Sequence, residues 1–263
     1  MAADAQAISR HVSAAGLQIV PVGVGSAYSA PGEAQSCYLV SAAGRSVAID
    51  LGSGTMNLLQ RRIAPEDLDA VVITHLHPDH CVDLMSLRVY MVWGPGAGTV
   101  LPVHGPPGLR DRLAAFSGSE GWDTAFTFND LEAGGGEVDL GDGVVLRHRE
   151  VPHLPPTHAV RVEHGGRSIC FSADCAPNED LPDLARGCDL LVCESSFGAE
   201  PVPDGLPHLN ARDAGEIAAR AGAGRLLLVH CSPELDRDAA LDAARSAFGG
   251  PVAWARQGEA VAA

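Results

Sequence analysis

A layered α/β fold is what this chain predicts, and three observations predict it. Short runs of Val, Leu, Ile and Ala alternate with segments of helical periodicity in both halves of the sequence. Thirty glycines and 18 prolines punctuate those runs, which implies many tight turns. At 263 residues and 46% apolar composition, the chain is long enough to bury a sizeable core. Aromatic residues make up only 5%, so that core must be largely aliphatic.

Residues 17–24 read as a first strand, closed by Gly23, Gly25 and Pro31. Residues 36–41 and 46–50 read as a strand pair turning at Ala43-Gly44. Gly52 and Gly54 follow Asp50 in a tight turn, and residues 55–62 suit a short helix. After a turn at Pro65-Glu66-Asp67, residues 68–74 form a strand that runs into a histidine cluster. Residues 83–92 are expected to be helical, 94–98 a loop, 100–104 a strand and 107–116 a helix. Residues 118–136 are polar and glycine-rich and read as a loop flanking the pocket. Strands follow at 144–151, 159–163 and 168–172, the last two joined at Gly165-Gly166. A strand at 190–193 precedes a helix at 211–221, with Asn210 as its cap. Residues 225–229 form a buried strand ending at His230, 237–248 a helix, and 252–256 an edge strand. No internal repeat is legible. Residues 1–16 read as an N-terminal extension and 17–263 as a single catalytic domain.

The formal charge is −15, from 33 acidic and 18 basic residues, which disfavours a large nucleic acid as partner. Local basic patches remain compatible with that total. Seven cysteines without CxxC spacing argue against a disulfide scaffold or a four-cysteine zinc site. Cys175 and Cys231 each adjoin a candidate ligand and are expected to line the site. No apolar run reaches membrane-spanning length, and residues 1–16 lack a signal-peptide pattern, so a cytoplasmic location is the expectation.

His75, His77, Asp79 and His80 fall within six residues at a strand end. Imidazole suits zinc and its neighbours, and a carboxylate can complete or bridge such a site. Two adjacent ions need partners from elsewhere, and His153, Asp174 and His230 each end or follow a strand. Spacing alone does not choose His153 over His148 or His158. His11, His104 and His164 read as solvated or hydrogen-bonded.

The segment Thr74-His75-Leu76-His77-Pro78-Asp79-His80 resembles the metallo-β-lactamase fold family, and within it the ribonuclease Z-like phosphodiesterase branch. Further segments carry the resemblance: Val47-Ala48-Ile49-Asp50-Leu51-Gly52-Ser53-Gly54, His153 with Arg161 eight residues later, and Phe171-Ser172-Ala173-Asp174. Leu227-Leu228-Val229-His230-Cys231-Ser232-Pro233 and the stretch from His208 to Glu216 complete it, so that it covers about residues 17–248. The resemblance implies an αββα sandwich, two mixed sheets flanked by helices. It implies that His75, His77 and His153 hold one ion, that Asp79, His80 and His230 hold a second, and that Asp174 bridges them. Asp50 would orient a ligating histidine or the turn.

The chemistry so implied is two-metal hydrolysis, with two divalent ions, zinc by default and Mn or Fe as alternatives. Asp79, His208 and Glu194 are the expected catalytic residues. His208 would serve the leaving oxygen and Glu194 would orient its ring. The expected substrate is a small phosphodiester such as a cyclic nucleotide, against which Tyr90, Trp93 and Trp122 are candidates for stacking on a base. The alternatives are a ribonuclease Z-like tRNA 3′ endonuclease, or a lactone, thioester or β-lactam hydrolase using the same centre. Only twenty residues, 154–173, separate His153 from Asp174, which leaves no room for a tRNA-binding arm. Ala173, Cys175 and His158 depart from the branch's usual residues. The resemblance also implies a homodimer, with the loops at 94–98 and 118–136 shaping the pocket or the interface.

Overall fold

The computed structural model describes residues 16–118 and 120–263. Except for Gly16, the N-terminal extension expected over residues 1–16 lies outside the described residues. Strands β1 (Gln18–Gly23), β2 (Cys37–Ala42), β3 (Arg45–Ile49), β4 (Ala70–Val72), β5 (Leu101–Gly105) and β6 (Phe126–Asp130) belong to one sheet. Strands β7 (Gly136–Asp139), β8 (Val145–Val151), β9 (Thr157–His164), β10 (Arg167–Phe171), β11 (Leu190–Glu194), β12 (Leu226–Val229) and β13 (Val252–Trp254) form the other. The closing strand β14 (Val261–Ala262) returns to the first sheet beside β1. The spatial orders are β14-β1-β2-β3-β4-β5-β6 and β13-β12-β11-β10-β9-β8-β7.

Both sheets are mixed in the same way. The three pairings from β14 to β3 are antiparallel, and the three from β3 to β6 are parallel. The second sheet repeats this, antiparallel from β7 to β10 and parallel from β10 to β13. A parallel pairing needs a crossover, and each one here carries a helix. Helices α1 (Thr55–Leu59), α2 (Pro78–Cys81), α3 (Leu84–Trp93) and α4 (Leu109–Ser117) serve the first sheet. Helices α5 (Asp180–Leu184), α6 (Ala211–Ala221) and α7 (Arg237–Phe248) serve the second. The two halves thus share an architecture that no sequence repeat announces. Among the described residues, no helix is long and apolar enough to cross a membrane.

Strand alternation builds three apolar layers. Val47 and Ile49 of β3 face the second sheet, packing in one cluster with Phe171 and Val192, while Ala48 between them faces the helices. Leu84, Leu87 and Met91 of α3 cover the outer face of the first sheet. Ile217, Ala218 and Ala240 of α6 and α7 cover the outer face of the second. The result is the αββα sandwich expected from the resemblance.

The segment 118–136 departs from its reading as a loop. It contains β6, which pairs parallel to β5 and buries Phe126, and it ends at the first residue of β7. Its polar residues sit on the solvent side of an edge strand, which hides the period of two. Trp122, a stacking candidate, is buried in the helix-side core against Phe126 and Phe128. Tyr90 packs partly against the same core and its hydroxyl donates to Glu66 at 2.8 Å. Trp93 is 81% exposed at the end of α3. The first two are committed to packing, which removes them as partners for a base.

Helix α6 begins where the sequence placed it, because Asn210 and Asp213 cap each other's backbone N–H groups. Gly215 on its buried face lets α7 approach closely. A Cβ there would lie 2.5 Å from the Ala244 carbonyl oxygen and 2.9 Å from the Ala247 methyl. Gly215→Ala should therefore destabilise the protein by about 1–3 kcal/mol through overpacking. Thermal unfolding measures this, and an unchanged midpoint would show that α7 yields freely.

Candidate metal centre

The parallel strands of both sheets end on one edge of the sandwich, and the candidate residues sit just beyond those ends. Asp50 follows β3, Thr74 to His77 follow β4, and His153 follows β8. Asp174 follows β10, Glu194 ends β11 and His230 follows β12. Asp50, Ala173 and His230 have φ values of 60°, 53° and 57°. Left-handed backbone is costly for residues with a Cβ. It turns the chain off each strand at once and aims Asp50, Asp174 and His230 inward. Two backbone hydrogen bonds lock the sheets around the site, His230 N–H to Val24 O at 3.2 Å and His158 N–H to Thr74 O at 3.0 Å.

Two sets of ligand atoms converge there. His75, His77, His153 and Asp174 form one, and Asp79, His80, Asp174 and His230 form the other. Within each set, every ligand atom lies within 4.8 Å of the others. Asp174 belongs to both, as a bridging carboxylate would. Its Oδ1 is 3.4 Å from His80 Nε2, and its Oδ2 is 3.5 Å from His230 Nε2 and 3.9 Å from His75 Nε2. Helix α2 opens with Pro78 and places Asp79 and His80 in its single turn, facing the second set. Asp79 Oδ2 lies 3.3 Å from His230 Nε2.

The donor chemistry fits a pair of divalent ions. Imidazole nitrogens face one another at 3.1 Å (His75 Nε2 and His77 Nδ1), 3.3 Å (His153 Nε2 and His77 Nδ1) and 3.2 Å (His80 Nε2 and His230 Nε2). Two nitrogens about 2.0–2.1 Å from one tetrahedral ion are separated by about that much.

The nitrogens on the far side of four rings are all held, which fixes the ligating atom of each. His80 Nδ1 donates to Asp50 Oδ2 at 2.6 Å, and His153 Nδ1 donates to the Pro207 carbonyl at 2.9 Å. His75 Nδ1 meets Thr74 Oγ1 at 3.2 Å, and that hydroxyl donates to Asp50 at 3.0 Å. His230 Nδ1 meets Ser196 Oγ at 3.0 Å, and that hydroxyl donates to Glu194. One hydroxyl relay in each half therefore ties a metal-facing ring to a buried carboxylate. Sequence reasoning assigned no role to Thr74, Ser196 or the Pro207 carbonyl. Ser196 lies in the turn just after β11, two residues past Glu194, and no sequence signal pointed to it.

His208, just before α6, is partly exposed beside both sets. Its Nδ1 donates to Glu194 Oε1 at 3.2 Å and lies 3.9 Å from Asp174 Oδ2. Its ring stands 5.1 Å from that of His153 and 6.2 Å from that of His230. Glu194 is buried and also accepts from the Cys175 backbone N–H at 2.7 Å, which keeps it in place.

Burial and charge pull these groups in opposite directions. Burial pushes His75 well below the usual imidazole range, with His80 adding to the effect, and it lowers His77 and His153 as well. Burial also disfavours the charged His80, but Asp174 and Asp50 outweigh it and hold that ring well above its usual range. For His208, burial again opposes charge, and Glu194 prevails to raise it. Asp174 loses to burial but gains more from His230 and His80, and stays well below the carboxylate range.

The remaining candidates supply no atom to either set. Burial raises Cys175 far above its usual range and Cys231 to about 11, so neither is a ready thiolate. His148 and His158, the competitors of His153, belong to neither set of ligand atoms and form a separate buried pair with Nδ1 atoms 3.3 Å apart.

Comparison with known proteins agrees with this geometry. The family model described as "Beta-lactamase superfamily domain" matches residues 45–231. Rv1339 of Mycobacterium tuberculosis is 32% identical over 92% of this chain and 90% of its own length. Ribonuclease Z of Mycobacterium marinum is 31% identical over 83% of this chain and 88% of its own. The crystal structure of the metallo-beta-lactamase fold protein YhfI from Bacillus subtilis superposes with a TM-score of 0.84 at 25% identity, covering 93% of this chain and 98% of that one.

Asp50→Asn should weaken metal binding about 10–100-fold, because one neutral acceptor oxygen then replaces the two carboxylate oxygens that His80 and Thr74 use. Titration with a chelator measures this, and wild-type affinity would show that His80 needs no partner. The histidine pair predicts a pH effect. Burial, then His148, lowers His158 to about 4, against about 6.5 in an unfolded chain. The unfolded chain takes up a proton in that window which the fold refuses, so stability falls as pH drops from about 6.5 to about 4. His158→Phe should flatten that slope and leave it unchanged above pH 7. Parallel slopes for both proteins in urea unfolding would rule His158 out as its source.

Proposed function

The chain belongs to the beta-lactamase superfamily, and from that premise we propose that it is a metal-dependent phosphodiesterase acting on a small phosphodiester such as a cyclic nucleotide. The observation that carries the reading is His208, held by Glu194 at the edge of a binuclear metal-binding site. Bound divalent ions, zinc in this reading, activate water and neutralise charge on a phosphate. The chain's own residues supply the rest.

Asp174 would fix the two halves of the centre at one spacing, since it belongs to both sets, and Asp79 would complete the second. Thr74, Asp50 and Ser196 engage the Nδ1 atoms of His75, His80 and His230, which leaves Nε2 of each ring as the nitrogen that would face an ion. His208 holds a proton for the leaving oxygen. With Nδ1 engaged by Glu194, its Nε2 is the nitrogen left for a substrate. A lactone or thioester would need an oxyanion partner instead, and need not use His208.

The span between His153 and Asp174 supports a small substrate. It is consumed by the β9–β10 hairpin, which turns at Gly165-Gly166 and pairs without interruption from Arg167 to Phe171. There is no segment left over to grip a tRNA, although ribonuclease Z is among the relatives. The formal charge of −15 adds to that argument.

The test is a panel of bis-p-nitrophenyl phosphate, 2′,3′- and 3′,5′-cyclic nucleotides, a precursor tRNA and several lactones. Cleavage of the small phosphodiesters is the expected result, and activity confined to lactones would overturn the assignment. His208→Ala should keep both metals and lose about 10²–10⁴-fold in kcat on the phosphodiester. Full turnover by this variant would remove His208 from the mechanism.

A further inference from the structure

The side of the sandwich away from the metal centre carries a groove of about 510 Å³. Its floor is aliphatic and includes the first residues of three parallel strands, Leu190 of β11, Leu226 of β12 and Val252 of β13. Glu194 and His230 stand at the opposite ends of β11 and β12, so the groove is separate from the metal centre. Trp254 of the edge strand β13 lines it, its indole N–H spent on the Arg237 carbonyl at 3.0 Å.

Three arginines line the same groove, Arg225, Arg245 and Arg256. Carboxylates outnumber basic groups by 33 to 18 in this chain, so an arginine without an acidic partner is unexpected. Among the described residues, the Arg225 guanidinium reaches only the Ala262 carbonyl. Arg245 has Asp242 at 3.5 Å, a pair with side chains 52% and 80% exposed and of little strength. Among the described residues the Arg256 guanidinium has no hydrogen-bond or ion-pair partner. Glu259 is the one carboxylate in the lining, and it pairs with none of the three arginines.

We infer that this groove binds a small organic anion, its apolar body on the aliphatic floor and its carboxylate, phosphate or sulfonate head on the arginines. An apolar cleft with a few convergent polar groups is the usual form of a small-molecule site, and this volume lies in the usual range of about 300–1,000 Å³. Arginine suits the head because its planar fork pairs with two oxygens at once and is more weakly hydrated than an ammonium group. The local positive charge is an exception on an acidic chain, which would otherwise repel such a ligand.

The experiment uses the metal-loaded full chain and the fluorescent anion 8-anilinonaphthalene-1-sulfonate as probe. Saturable binding at one site is expected, weakened at least ten-fold in Arg256→Gln and in Arg225→Gln. Arg256→Gln is the cleaner variant, because Arg225 also holds the Ala262 carbonyl. Decanoate should displace the dye and inorganic phosphate at the same concentration should not, since the body must bind as well as the head. Equal dye affinity in wild type and Arg256→Gln would overturn the site, and so would equal displacement by phosphate.

Discussion

Five imidazole rings and two carboxylates share a buried space in which each set of ligand atoms spans no more than 4.8 Å. Every other feature of this edge of the molecule follows from keeping them there. Nitrogen lone pairs turned toward one another repel, and buried polar atoms without partners are costly. Divalent ions resolve the first problem when bound. The fold resolves the second by giving the other nitrogen of His75, His80, His153 and His230 a partner of its own. Those partners then need support, and Thr74 and Ser196 find it in Asp50 and Glu194.

The support is laid out alike in the two halves. Asp50 at the end of β3 and Glu194 at the end of β11 each receive a hydroxyl that serves a ligating ring. Asp50 goes on to hold His80, whereas Glu194 goes on to hold His208. One buried carboxylate therefore holds a ring of the candidate metal set, and the other holds His208. The left-handed residues at Asp50, Ala173 and His230 are part of the same arrangement. A strand that continued straight would carry these side chains past the centre. The cost of each turn is offset by the hydrogen bonds it makes possible.

Much of this was legible in the residues. Helices α6 and α7 could be read to the residue, because Asn210 and Asp236 cap them and a glycine stops each. The cluster from His75 to His80 announced a metal without any structure, since so many ligands in six residues have few other uses. Strand β6 was hidden because its exposed positions are polar and only Phe126 is fully buried. Strand β14, two residues long, is held by its neighbour β1 and by nothing local. Trp122 looked available to a ligand by residue type alone, and only its packing under the helices takes it out of reach.

By itself the sequence determined the alternation of strands and helices and the candidate metal ligands of the 75–80 segment. All of these depend on neighbours in the chain, on periodicity, capping and spacing. The tertiary structure decided which distant residues join them. His153 is a ligand candidate and His158 is not, although both lie on the same stretch, because β8 ends at the shared edge while His158 turns to His148 inside the second sheet. It also decided that Thr74 and Ser196 are relays and that three arginines from separate segments meet in one groove. Such pairings are set by the stacking of two sheets, which brings together residues far apart in the chain.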